Sequence, residues 1–173
     1  MTQAEQMLYN ISTEGLGDGL TEKLEPHIVV GADRKITVPS ELRTLAVVGD
    51  IKMNVVTIDC VRYVEGHDLS SFDIFISYVL PNRKQKMHIP EKIETFDGED
   101  YFSFDWKISK EISSTAGQIV FSIIAVKTGV DADGKGIVVN RWGSFTNSDC
   151  SVASGLEIAP LEDEYLEGVN NQV

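Results

Sequence analysis

Short runs of β-branched and aromatic residues, parted at regular intervals by turn residues, constrain this chain more than any other feature. That rhythm belongs to an all-β sandwich. Residues 27–30 (HIVV) and 35–38 (KITV) flank Gly31-Ala32-Asp33-Arg34, which reads as a hairpin. Pro39-Ser40-Glu41-Leu42 suits a turn or one helical turn. In residues 54–60 (NVVTIDC), Val56, Ile58 and Cys60 alternate with Thr57 and Asp59, the period of a strand with one buried face. Residues 72–80 (FDIFISYVL) set Phe72, Ile74, Ile76 and Tyr78 on one face of a central strand, which Pro81-Asn82 ends. Residues 83–89 (RKQKMHI) read as an edge strand whose lysines discourage edge-to-edge pairing. After the Asp97-Gly98 turn, Phe102, Phe104 and Trp106 alternate with Ser103, Asp105 and Lys107, so one aromatic face is expected to be buried. Residues 118–127 (QIVFSIIAVK) are apolar on both faces and read as an internal strand. Asp133-Gly134-Lys135-Gly136 turns the chain into residues 137–145 (IVVNRWGSF), and residues 150–154 (CSVAS) close the series. The count is about nine strands, with no long helical period.

Charge divides the chain. Of its 173 residues, 42% are hydrophobic and 24% charged, which fits one globular domain. The net charge is −12, of which residues 1–26 hold −4 and residues 157–173 hold −5. The reading is therefore an N-terminal acidic arm (1–26), a nearly neutral sandwich (27–156) and a C-terminal acidic tail (157–173). Each arm keeps an apolar stripe: Leu16, Leu20 and Leu24 in one, Leu161, Tyr165 and Leu166 in the other. Helices this short are marginal alone and need a surface to lie on. These six residues are the expected interface. An acidic chain is repelled by nucleic acid and anionic lipid. No stretch approaches the roughly 18 apolar residues of a membrane span, and the start lacks the features of a signal peptide. Neither nucleic acid nor membrane is expected as a partner, and synthesis is expected in a cytoplasm. Cys60 and Cys150 could bridge two sheets, but in a reducing compartment two buried thiols are the expectation.

Several motifs imitate chemistry. The stretch from Gly129 to Gly136 matches most of a phosphate-binding GxxxxGK loop, yet Gly136 stands where the hydroxyl residue belongs, and Asp131 and Asp133 would face the phosphate. The same residues open like a calcium loop, but Lys135 occupies the fifth position and Trp142 the twelfth. A hairpin turn accounts for them without a ligand. His67 beside Asp68, with Glu65 close by, could form a general-base pair, but no nucleophile is signalled, and Ser70 and Ser71 suit turns. His27 and His88 stand alone in strand contexts. Glu94, Asp97, Glu99 and Asp100 surround a turn and do not argue for a glycosidase pair. No catalytic, cofactor or metal residue is assigned, and no enzyme is expected.

Residues 36–47, 55–80, 102–109, 117–127 and 140–157 together resemble an immunoglobulin-like domain of tail and baseplate-associated proteins. These belong to phages and prophages of Gram-positive, largely clostridial bacteria. The plan is similar to the N-terminal domain of the baseplate upper proteins. Its most specific parts here are Arg62-Tyr63, Gly66-His67-Asp68-Leu69-Ser70 and Arg141-Trp142. The resemblance implies an immunoglobulin-like antiparallel β-sandwich in a virion, assembled with other virion proteins and with copies of itself. In larger members this domain is an attachment module before receptor-binding segments. Almost nothing follows it here, which argues against a receptor-binding role and favours an adaptor, plug or decoration subunit, with a tail or baseplate component as the first expectation. A head decoration or collar protein is the alternative among structural proteins. A carbohydrate- or small-ligand-binding sandwich is the alternative from another class, and it would display exposed aromatics in a loop cluster.

Overall fold

A computed structural model describes residues 3, 25–51 and 54–155. Thirteen strands are present among them. The first four are β1 (Ile28–Val30), β2 (Ile36–Thr37), β3 (Thr44–Val47) and β4 (Val55–Val61). Then come β5 (Tyr63–Val64), β6 (His67–Asp68), β7 (Asp73–Val79), β8 (Gln85–His88) and β9 (Ile93–Thr95). The last four are β10 (Tyr101–Lys107), β11 (Gly117–Val130), β12 (Gly136–Gly143) and β13 (Asn147–Ala153). One sheet runs β2-β1-β4-β10-β9; the second runs β3-β13-β11-β7-β8, with β12 also on β11. The fold is an all-β sandwich.

The alternation read from the sequence decides which side chains meet between the sheets. Val56, Ile58 and Cys60 on β4 lie opposite Trp106, Phe104 and Phe102 on β10, and all six are buried. From the facing sheet, Ile74, Ile76 and Tyr78 of β7 pair with Ala125, Ile123 and Phe121 of β11, again all buried. Trp106 bridges the layers, with its ring 5.6 Å from Tyr78 and 5.1 Å from Phe121. Among the described residues, the buried core runs from Ile28 to Val152. The second face of β11, expected to be covered, is only partly so: Val120, Ile124 and Val126 are half-buried.

Four strands have no counterpart in the sequence reading: β3, β5, β6 and β9. Most ladders are antiparallel as expected, but β1 runs parallel to β4 and β3 parallel to β13. The cause is the path between β2 and β4. A 3-10 turn at Ser40–Leu42 carries the chain from the first sheet to β3 in the second, and it then returns to β4. Such crossovers permit parallel neighbours where hairpins cannot.

The Arg62 to Ser70 phrase forms a corner. β5 and β6 pair Val64 with His67 across a two-residue loop, with φ of 50° at Glu65 and 81° at Gly66. Two successive positive φ values define the hairpin turn whose twist suits the strands, and glycine adopts the second without penalty.

Cys60 and Cys150 are buried free thiols on opposite sheets. Burial pushes both above the ordinary thiol range, Cys150 to about 12, so neither is a ready nucleophile. Both are expected to stay silent to a thiol reagent in the folded protein and to react in full after unfolding without reductant. A shortfall in the unfolded count would reveal a bridge.

Candidate functional site

The outer face of the first sheet carries an open pocket of about 490 Å³, and strand pairing builds it. Residues opposite one another on neighbouring strands share a face. The register sets Ser103 beside Asp59 and Asp105 beside Thr57. Glu94 of β9 flanks Ser103 on its other side, and His27 precedes β1 at the same level. Phe96, Tyr101 and Gln3 also line the pocket.

At its centre lies Asp59, whose side chain is only 12% exposed. Burying a carboxylate costs several kcal/mol unless its oxygens are hydrogen-bonded, on the order of the ion's desolvation penalty. Here both oxygens are engaged. His27 donates from Nδ1 to Oδ2 at 2.9 Å, and Ser103 donates from Oγ to Oδ1 at 2.5 Å. Thr57 donates in the same way to Asp105 at 2.9 Å. The order of groups matters chemically. In a hydrolytic triad the histidine stands between hydroxyl and carboxylate. Here the carboxylate stands in the middle, so Ser103 donates its hydrogen bond to a weak base, and His27 Nδ1 is spent on the carboxylate rather than on that hydroxyl. The cluster pins the entry of β1 to β4 and β10. Glu25, Asp59, Glu94, Glu99 and Asp105 give the pocket a negative field that disfavours phosphates. Lys92 is occupied with Glu94 at 3.2 Å.

The hydrogen bond to Asp59 raises the His27 pKa above its ordinary 6.5 and outweighs the opposing effect of burial. A raised folded-state pKa adds stability that is complete below 6.5 and disappears as pH rises through the folded value. His27→Gln is therefore expected to destabilise the protein more at pH 5.5 than at pH 8.5. His88 has the opposite linkage, because burial lowers its pKa. The readout is thus the difference between wild type and variant in denaturant titrations. A penalty independent of pH would dissociate His27 ionisation from the fold.

Of the other sequence candidates, Glu94 and Glu99 line the pocket and the rest lie elsewhere. Neither His67 nor Asp68 lines the pocket. Arg62 forks onto Asp68, with Nε 3.2 Å from Oδ1 and Nη2 3.2 Å from Oδ2. Ser70 donates to Asp68 from both backbone and side chain, capping the 3-10 turn Leu69–Ser71. Burial opposes ionisation of Asp68, but these bonds outweigh it and hold its carboxyl below the ordinary range. A carboxylate held this way is a brace for a corner. His67 instead meets Phe72 edge-on at 6.0 Å. Asp131 Oδ1 accepts from the backbone nitrogens of Asp133 and Lys135, each at 2.9 Å, and Gly134 takes φ of 79°. That geometry is the hairpin turn read from the sequence. No group of three or more metal-ligating side chains gathers among the described residues.

The Arg141-Trp142 phrase closes one end of the sandwich. Trp142 is buried opposite Ala125. Arg34, in the β1–β2 turn, lies 5.5 Å over its ring and donates to Gly143 O at 2.9 Å. Beyond this closure β11 and β12 continue as a two-stranded ribbon, with Val130, Ile137, Val138 and Val139 exposed. Sequence reading gives residues 137–145 as a strand and assigns no burial to residues 137–139.

Leu16, Leu20, Leu24, Leu161, Tyr165 and Leu166 lie outside the described residues. No helix among the described residues is long and apolar enough to cross a membrane. No protein-family model matches the sequence, and no curated protein matches it.

Proposed function

We propose that this protein is a non-enzymatic structural subunit of a bacterial virus particle, an immunoglobulin-like sandwich serving as a tail or baseplate adaptor through protein–protein contacts. The observation that carries the reading is the apolar ribbon of β11 and β12. Val130 is 69% exposed, Val138 60% and Val139 54%, at the free end of a strand pair. Exposed apolar side chains gathered at one end of a strand pair mark interaction sites, and an open strand edge invites another chain. The resemblance in the Arg62 to Ser70 and Arg141-Trp142 phrases supplies the virion context. Both phrases have structural tasks, as bracing corner and end closure. A head decoration or collar subunit has the same supports and is the runner-up.

Mass spectrometry and immunogold labelling of particles purified from the encoding bacterium test the reading. The expected result is the chain at fixed stoichiometry in particles, at the tail or baseplate. Its absence from particles while abundant in the cell would overturn the proposal. The negative pocket with Phe96 and Tyr101 favours a second reading, a module for a neutral or cationic small ligand. Saturable chemical-shift changes confined to Asp59, Ser103 and Asp105 on addition of a saccharide or polyamine would favour that reading instead.

A further inference from the structure

The β11–β12 ribbon outruns its own sheet. β7 leaves β11 at Val126, and β13 pairs only with the far end, from Gly117 to Phe121. From Lys127 onward β12 is the sole neighbour of β11 among the described residues. The opposite margin of this sheet, β8, is guarded by Lys84 and Lys86, as exposed edges usually are. The β12 edge from Gly136 to Asn140 has neither lysine nor proline. On the core-facing side, Ile137 sits opposite Gly129, and the residue added at the ladder irregularity, Val139, covers the same glycine. A Cβ at Gly129 would approach Val139 Cγ2 to 2.7 Å, so the glycine admits this close packing. Lys127 and Lys135 are exposed beside this apolar step, Arg141 is exposed on the opposite face of the ribbon, and none of the three forms an ion pair among the described residues. Asp131, the nearest acid in the turn, is engaged by two backbone nitrogens.

We infer that this ribbon is the docking surface for the C-terminal segment, residues 157–173, of a second copy of the chain. The inference deepens the assembly reading above and rests on it for the presence of many copies. Charge complementarity is the first argument. The segment carries Glu157, Glu162, Asp163, Glu164 and Glu167 without a single base, and beside the apolar step the ribbon offers Lys127 and Lys135, which have no ion-pair partner among the described residues. Leu161, Tyr165 and Leu166, interspersed among those acids, match an exposed surface of isoleucine and valine.

Reach is the second argument, and it selects a second copy. Val152 pairs with Gly117, so the chain leaves the sandwich at the end of β11 opposite the ribbon. β11 has 14 residues and spans about 45 Å. From Gly155 to Leu166 a fully extended chain covers at most about 40 Å, and to Leu161 about half that. The ribbon begins at Lys127, ten residues or about 33 Å from Gly117, so Leu161 stops short of its own ribbon, while Tyr165 and Leu166 reach only its near end and only in a fully extended chain. A neighbouring copy imposes no such limit.

The test uses the full chain. Sedimentation equilibrium is expected to show self-association at low salt, weakening by about tenfold or more in half-molar sodium chloride as the charges are screened. The double variant Lys127→Glu, Lys135→Glu is expected to weaken it at least tenfold, as is Glu162→Lys, Glu164→Lys. The four substitutions together should restore it. All four sites are charged in the wild type, and circular dichroism verifies folding. Zero-length carbodiimide cross-linking of an equal mixture of isotope-light and isotope-heavy chains should join Lys127 or Lys135 to the acids of residues 162–167 in mixed-isotope pairs. A chain that is monomeric at every concentration, or charge swaps that fail to rescue, overturns the inference. So do cross-links confined to single chains, or cross-links running to residues 1–24. If the swap behaves as expected but the chain is absent from particles, the virion reading fails and the docking stands. If particles contain the chain but the swaps leave association unchanged, the docking alone fails.

Discussion

Trp106→Ala is expected to lower the unfolding free energy by about 3–5 kcal/mol in urea titration, the range for deleting a buried aromatic. Trp106 is fully buried. It sits on β10 opposite Val56, and its ring contacts Tyr78 and Phe121 of the facing sheet. No smaller side chain can span that gap, so alanine leaves a cavity between two sheets held apart by their own ladders. The indole Nε1 has no hydrogen-bond partner among the described residues. An orphaned buried donor costs about 1–3 kcal/mol, so its removal offsets part of any loss. Trp106→Phe should therefore cost clearly less than the alanine variant, about 1–2 kcal/mol. An alanine variant within 1 kcal/mol of wild type would mean that Trp106 does not wedge the sheets. A phenylalanine variant as damaged as alanine would mean that the indole nitrogen has a partner in solution.

Residues 54–60 and 101–108 disclosed their structure because apolar and polar residues alternate strictly, and the paired strands bury the indicated faces. β3 escaped notice because it buries Leu45 and Ala46 side by side, with no alternation, and gains strand character from parallel pairing with β13, distant in sequence. β9 has one apolar residue, Ile93, and is a strand because β10 offers it an edge. The pinned carboxylate was also hidden. Its partners His27 and Ser103 lie 32 and 44 positions from Asp59, and only register joins them. One signal was available: an aspartate inside the buried run of residues 54–60 needs partners. The ribbon shows the converse limit. Composition predicts β-structure at residues 137–139 correctly, but it cannot say that β7 leaves β11 at Val126 and that β11 and β12 continue from there as a pair.

Removing residues 1–26 and 157–173 together is expected to leave the sandwich folded and to abolish its entry into particles. The structural ground is that the described residues from Ile28 to Val152 form one hydrophobic cluster between the two sheets. The electrostatic ground is that the two segments hold most of the −12 net charge, so their loss relieves self-repulsion. One contact tempers the N-terminal half: Gln3 lines the pocket beside Glu25 and His27, so part of that arm lies against the first sheet. The two segments should therefore also be removed singly. Loss of residues 157–173 is expected to leave the thermal midpoint within a few degrees of wild type and to eliminate self-association. Loss of residues 1–26 is expected to remove Gln3 and Glu25 from the pocket wall, again with a small shift in midpoint. A fall of about 10 °C, which for a domain of this size corresponds to several kcal/mol, would make the deleted segment part of the fold. A doubly truncated protein that still enters particles would show that the sandwich alone makes the contact, and would move the interface from the arms to the β-sheet surface itself.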